Sequence, residues 1–499
     1  MSGLAGLPDE VLKLVMQLVP LRDRLCNCCL VSRRLHAAAV AGTQELKVDF
    51  GPYAAVMQRL GCGPFGVAPQ QRNRFYSWLS HYGHYLTSLY MEDVPQSLDQ
   101  LLPCPNLLKL ALVQCHVQLG PCAASGTPGI IAGCTKLIRL DLLHDIISTP
   151  GEGLLLDGSL SNLLDLQHLE MQPRADDTVQ DHYVIGGFIP ATLPCLTRLT
   201  HLTTAGFSVE NLSQLGALTN LRVLSLTAAV GVTIGPSSAP ALVFPASLTQ
   251  LVLRSPVEAR VLSLVPAGLK VLEVNKDVEG PDEGPGSLLS CMAGLQELEQ
   301  LSLWFEDWPA AGPGYSALTA SSSLVSLGLR HVHLPQGVWP HVFPDKRQLL
   351  HLTNLTLLDP YEGQDPIQMW DVVSRWATAD MCSLVRCCPN LCKIEGMHLQ
   401  HGWAVTELCK LMALTSLGLH YAVGHYASAQ ESLWGLAALT QLSALDVIME
   451  SQSLVVTALL PLTSLTNLSL LQFSCPDDDE EEEHLDVGLV QVNCILFNL

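Results

Sequence analysis

The sequence predicts an α/β solenoid, a long stack of short parallel strands, preceded by a small helical domain. Three observations carry that prediction. A leucine template, L-x-x-L-x-L, recurs down most of the 499 residues. The chain is 48% hydrophobic and 15% charged, with a mean hydropathy of +0.29, yet no run is long enough to span a membrane. The first 36 residues have a different texture, with helical rather than strand-like spacing.

The helical start is "LPDEVLKLVMQLVPLRDRLCNCCLVSRRLH", Leu7 to His36. Val11, Leu12, Val15, Leu18 and Val19 follow one stripe of a helix. Pro8 suits a first turn, and Asp9 and Glu10 complement the positive end of the helix dipole. Pro20 ends the run, Asp23 can cap a second helix, and Ser32 a third. Three helices in so short a span bury too little apolar surface to stand alone. The stretch resembles the F-box, in which Leu7, Pro8, Glu10, Val11, Leu12, Val15, Pro20, Leu21, Asp23, Val31, Arg33 and Arg34 match in register. Leu35 stands where that family usually has Trp, Ser32 where it has Cys, and Arg24 where an apolar residue is common. The alternative for this stretch is a plain helical cap on the end of the solenoid.

The template then sets the repeats. Its fourteen starts are Leu107, Leu137, Leu166, Leu199, Leu221, Leu248, Leu269, Leu298, Leu324, Leu352, Leu391, Leu414, Leu442 and Leu465. The mean period is about 27.5 residues, within the range of leucine-rich repeats. "LTSLYM" at Leu86 adds a first repeat. The fourth and sixth positions fall on one face of a strand because side chains alternate. No single repeat can bury that face, so stacking gives a continuous core, with a parallel sheet on the concave face of a horseshoe. "CPNLLKLALVQC" (Cys104–Cys115), "CTKLIRLDLLHD" (Cys134–Asp145) and "CPNLCKIEGMHL" (Cys388–Leu399) resemble the cysteine-containing repeat subtype. In that subtype the Cys packs inward and can bond the turn backbone. "LTSLTNLSL" is nearer the plant and algal L-T-x-L variety.

The long gaps are read separately. Pro366 opens a helix in which Ile367, Trp370, Val373, Ala377, Met381 and Leu384 recur at helical spacing. Residues 173–194 and 235–247 read as extruded loops. Residues 477–483, "DDDEEEE", form an acidic run of the solvated, disordered type. The domain boundaries are 1–45 for the F-box-like helices, 46–474 for about 14–15 repeats, and 475–499 for the acidic tail.

Composition excludes several functions. The formal net charge of −21 argues against nucleic-acid binding. Residues 1–40 are the exception, with Lys13, Arg22, Arg24, Arg33 and Arg34 against Asp9, Glu10 and Asp23. No positively charged leader with an apolar core is visible. The 17 cysteines are therefore expected to be mostly reduced and buried. No phosphate-loop, nucleophile-elbow, zincin or EF-hand pattern occurs, so no catalytic residue, cofactor or metal site is expected. Cys26 and Cys29 lack a second pair at zinc spacing, and the pairs His81/His84, His331/His333 and His420/His425 lack accompanying ligands.

Function then falls to the outward third, fifth and seventh template positions, which include Lys109, Asp141, Glu170 and Asp446 as mixed charges. The candidate target-binding residues are Arg139, His168, Arg254, Glu273, Trp304, Arg330, Lys393 and His420, with Trp304 as the strongest anchor. The F-box resemblance implies a substrate-recognition subunit of an SCF-type (Skp–cullin–F-box) ubiquitin ligase. It implies docking of a Skp-type adaptor through Leu7, Pro8, Val11, Leu12, Val15, Leu18, Pro20, Leu21 and Val31. A protein target on the repeats would be marked for degradation, with no enzyme activity in the chain itself. Neither nucleic acid nor membrane is an expected partner, and the expected location is cytoplasm or nucleus. The alternative is a repeat scaffold in signalling or at the cytoskeleton and ciliary axoneme.

Overall fold

The computed structural model describes residues 8–17, 38–39, 44–49, 77–92, 104–117, 131, 133–147, 160, 162–173, 193–207, 209–228, 234, 242–274, 286–304, 311–330, 334–335, 337–358, 376–398, 405–421, 435–449, 465, 468 and 470–474. Two compact units divide the chain, residues 1–232 with 237–248, and residues 233–236 with 249–499. No described helix is long and apolar enough to cross a membrane.

The first unit opens with helix α1, Asp9–Gln17. Pro8 lies just before it, and its carbonyl accepts the Leu12 N–H at 2.9 Å. The strands β1 (Glu45–Asp49), β2 (Ser88–Glu92), β3 (Lys109–Val113), β5 (Arg139–Ile147), β6 (His168–Pro173), β7 (His201–Phe207) and β8 (Val223–Ala228) pair successively, all parallel. A two-residue strand, β4 (His116–Val117), pairs with the end of β5. The template residues align across them, as in Leu89↔Leu110↔Leu140↔Leu169↔Leu202↔Leu224. These leucines are at most 1% exposed, which makes the predicted stacked core literal.

The second unit repeats the architecture through β9 (Gln250–Leu253), β10 (Val271–Val274), β11 (Gln300–Trp304), β12 (Ser326–Arg330), β13 (Asn354–Leu358), β14 (Lys393–His398), β15 (Ser416–Tyr421), β16 (Ala444–Met449) and β17 (Leu470–Ser474). These too form one parallel ladder. The return segments hold short helices, α2 (Ala259–Leu262), α3 (Gly286–Met292), α4 (Trp339–Val342), α5 (Thr378–Cys387) and α6 (Val405–Leu408). Both units are stacks of leucine-rich repeats, and the chain is the expected α/β solenoid behind a helical start.

Turn chemistry explains the letters around the leucines. In the L-T-x-L repeats the hydroxyl after the first leucine reaches back one repeat. Thr200 Oγ1 donates to the Gln167 carbonyl at 3.0 Å, Thr415 to Cys392 at 3.2 Å, and Ser443 to Thr415 at 3.0 Å. The Asn before that leucine does the same, with Asn106, Asn220 and Asn390 Nδ2 donating to the carbonyls of His84, Thr197 and Leu350 at 2.7–2.8 Å. The cysteine variant behaves as its subtype implies. Cys104, Cys134 and Cys388 are fully buried, and Cys115 Sγ lies 3.3 Å from the Val113 carbonyl.

Four expectations are corrected. Ala377 is extended rather than helical, because Asp380 accepts its N–H at 2.8 Å and starts α5 at Thr378; residues 366–375 lie outside the described residues. The stretch 235–247 is not wholly an extruded loop, since Leu242 and Phe244 are 3% and 5% exposed and belong to the core. In β14 the sixth template position, Gly396, does not face inward. Its φ of 69° makes a bulge, and Met397 takes the inward place opposite Leu419. In the last repeat Leu445 pairs with Leu471 and Val447 with Phe473, so the strand lies three residues beyond the one that "LTNLSL" predicts. Strand β1, with Leu46 and Val48 alternating with charges, was not anticipated as part of the ladder.

Candidate functional site

Two surfaces follow from this fold, on α1 and on the sheet face opposite the leucines. On α1 the stripe divides. Leu12 and Met16 are 0% and 2% exposed and cluster with Ala38 and Ala39. Leu12, expected as an adaptor contact, is buried in that cluster rather than presented to solvent. Val11 is 41% exposed, Pro8 is exposed and Val15 half-buried, so these carry what the described surface of α1 offers. Leu7, Leu18, Pro20, Leu21 and Val31 lie outside the described residues.

On the first unit's ladder, parallel register brings residues far apart in sequence side by side. Arg139, His168 and His201 occupy one row, and Asp141, Glu170 and Thr203 the next. Arg139 Nε donates to Asp141 Oδ2 at 2.7 Å, and Gln172 Nε2 to Glu170 Oε1 at 2.6 Å. Each carboxylate thus has one oxygen held. Their other oxygens flank one ring nitrogen: His168 Nε2 lies 3.5 Å from Asp141 Oδ1 and 3.7 Å from Glu170 Oε2. The three donor atoms fall within 4.8 Å of one another. The His168 and His201 rings lie 5.4 Å apart.

The electrostatics follow from these neighbours. His168 and then Arg139 favour the charged form of Glu170, so its carboxyl titrates below the usual range despite partial burial. Desolvation is the main cause of His201 titrating below an ordinary imidazole, and the positive neighbours His168, Arg139 and Arg222 add to it. Asp141 was expected to point outward; it lies on that face but is only 7% exposed, beside Arg139 and His168.

The second unit distributes the remaining predicted residues. Trp304 is half-buried and in register with Arg330, so the anchor and a cation position are neighbours. Lys393 Nζ pairs with Glu395 Oε1 at 2.6 Å, and Thr356 Oγ1 reaches Glu395 Oε2 at 3.3 Å. Glu273 is half-buried on β10, and Arg254 is exposed just past β9. His420 lies near the opposite end of β15 from the residue paired with Lys393. The sequence-predicted residues thus form two adjacent pairs, Arg139 with His168 and Trp304 with Arg330, while the others are dispersed. The convergence of Asp141 on His168 and Glu170 was missed because it joins two repeats, β5 and β6. Adding one template period to Arg139 and Asp141, about 29 residues, lands on His168 and Glu170 and would have found it.

Comparison with known proteins adds one assignment. Residues 4–40 match the F-box domain. No curated protein matches the chain. Among solved structures, an internalin from Listeria monocytogenes is 16% identical over 73% of this chain and 86% of its own, with a TM-score of 0.41. A leucine-rich-repeat protein from Leptospira interrogans is 15% identical over 80% of this chain and 93% of its own, with a TM-score of 0.42. The fold assignment rests on the strand pairings themselves.

Proposed function

From a chain that carries an F-box domain directly ahead of a leucine-rich-repeat solenoid, we propose a substrate receptor of an SCF-type ubiquitin ligase. The two modules make a protein-interaction architecture. In the proposed role the F-box docks a Skp-type adaptor, the sheet face holds a target protein, and other subunits transfer ubiquitin to it. The target is then degraded, and the receptor works in the cytoplasm or nucleus.

The observation that carries this reading is adjacency. The F-box match ends at residue 40, and the first ladder strand begins at Glu45. So short a connection limits how far an adaptor-bound helix can lie from the start of the repeats. Val11 and Pro8 present apolar surface on α1 that water does not favour. Mixed charge with a half-buried Trp304 suits a protein surface better than a polyanion.

The test is binding of the purified full-length chain to a Skp-type adaptor. A stoichiometric complex is expected by size-exclusion chromatography, weakened at least tenfold by Val11→Asp with an unchanged circular dichroism spectrum. Leu12→Asp is the wrong probe, because it empties the core of α1. A folded wild-type chain that binds no adaptor would sink the receptor reading and leave a repeat scaffold.

A further inference from the structure

The arrangement around His168 is unusual in what it leaves unmet. Asp141 is 7% exposed, yet its Oδ1 accepts no hydrogen bond from any described residue. His168 Nε2 is buried and likewise lacks a hydrogen-bond partner among the described residues. A buried polar atom without a partner is destabilising, so two facing each other need an explanation. They sit 3.5 Å apart, outside the normal hydrogen-bond range. Glu170 Oε2 lies 3.7 Å from the same nitrogen.

We propose that Asp141, His168 and Glu170 form a binding site for a divalent cation of the zinc class on the outward face of the first unit. Donor separations of 3.5 and 3.7 Å are too long for direct bonds. They are what an ion about 2.1 Å from each donor spans, at angles of roughly 110–125°, near the tetrahedral value. An imidazole with two carboxylates is a nitrogen and oxygen set that such ions accept. The supporting groups fit as well. Arg139 holds the far oxygen of Asp141 at 2.7 Å, and Gln172 that of Glu170 at 2.6 Å. Each near oxygen is thereby oriented towards the ion, as partners of metal-binding carboxylates do. Three protein donors leave a fourth position open, and the His168 and Glu170 side chains are 24% and 21% exposed, so that position faces solvent or a docked partner. A bound ion would offset the two carboxylate charges on the outward face of the first unit.

The rival account is metal-free: the His168 ring closes directly onto the two carboxylates. The full-length chain, stripped with chelator, is titrated with Co2+ as a spectroscopic probe. Expected is a visible d–d band that saturates at one ion per chain and is displaced by Zn2+ but not by Mg2+. Asp141→Asn, His168→Gln and Glu170→Gln should each abolish it, and Gln172→Leu should weaken binding about 10–100-fold. Circular dichroism identifies any variant that fails to fold, and the remaining variants then decide. Thiolate-bound Co2+ gives strong near-ultraviolet absorption instead. If only that absorption is seen, or if all variants bind Co2+ like the wild type, the site is overturned and the metal-free account stands.

Discussion

Thr204 occupies the place of an inward leucine on β7, fully buried, with its Oγ1 bonded to no described residue. Thr204→Val keeps the volume and removes the stranded hydroxyl. It should stabilise the chain by about 1 kcal/mol, read as a higher urea midpoint with an unchanged slope. The same face governs the acid response. His201 titrates low in the folded chain, so as pH falls through about 6.5 the unfolded chain takes up the proton first and stability drops. Glu170 also titrates low, so its contribution is present above about pH 4.3 and is lost as pH falls through its folded value. The melting temperature should therefore fall on acidification in two windows, and His201→Gln should flatten only the upper one. Thiols make a third contrast. Burial pushes Cys104 up to about 11 and Cys134 to about 12, while Cys195 is exposed. Brief alkylation of the native chain, read by mass spectrometry, should label Cys195 and spare the other two.

At the scale of elements, the regular repeats were legible because their physics is local in sequence. Leu137, Leu140 and Leu142 announce a turn and a strand by spacing alone, and β5 forms where they place it. What escaped depends on contacts between repeats. Nothing in "LCKIEGMHL" states that Gly396 will turn left-handed and hand the inward place to Met397, since that choice is made against β15. Gly418 on β15 records the consequence. A Cβ there would lie 3.3 Å from both the Cα of Glu395 and the N of Gly396, which are backbone atoms and cannot rotate away. Gly418→Ala should cost about 1–3 kcal/mol, measured by denaturant unfolding, whereas a freely tolerated alanine would show that the bulge relaxes. The slip of β17 has the same origin, because "LTNLSL" and "LLQFS" both offer alternating apolar residues and only pairing with β16 selects the second. Helix α1 shows the limit of a stripe: the spacing of Val11, Leu12 and Val15 gives the helix but not which of them meets Ala38 and Ala39.

At the scale of the whole molecule, the ladder makes stability quasi-one-dimensional, since each repeat's leucines touch chiefly those of the next. The candidate site shares that property. Its donors come from neighbouring strands of one unit, so a period count could have assembled it, while the orientations set by Arg139 and Gln172 required the folded chain. The same logic predicts how damage spreads. Leu355 on β13 is fully buried and paired with Leu327 and Ile394 in the flanking strands. Leu355→Ala leaves a cavity that costs about 2–5 kcal/mol. In a nearest-neighbour stack that loss stays local, so hydrogen exchange should quicken in β12, β13 and β14 and remain unchanged in β5, β6 and β7. Adaptor binding through the F-box should then survive the mutation, and so should the Co2+ response of His168, because both lie in the first unit. Equal loss of protection in every strand would instead mean that the two units unfold as one cooperative body, and that no repeat can be altered without altering the sites on all the others.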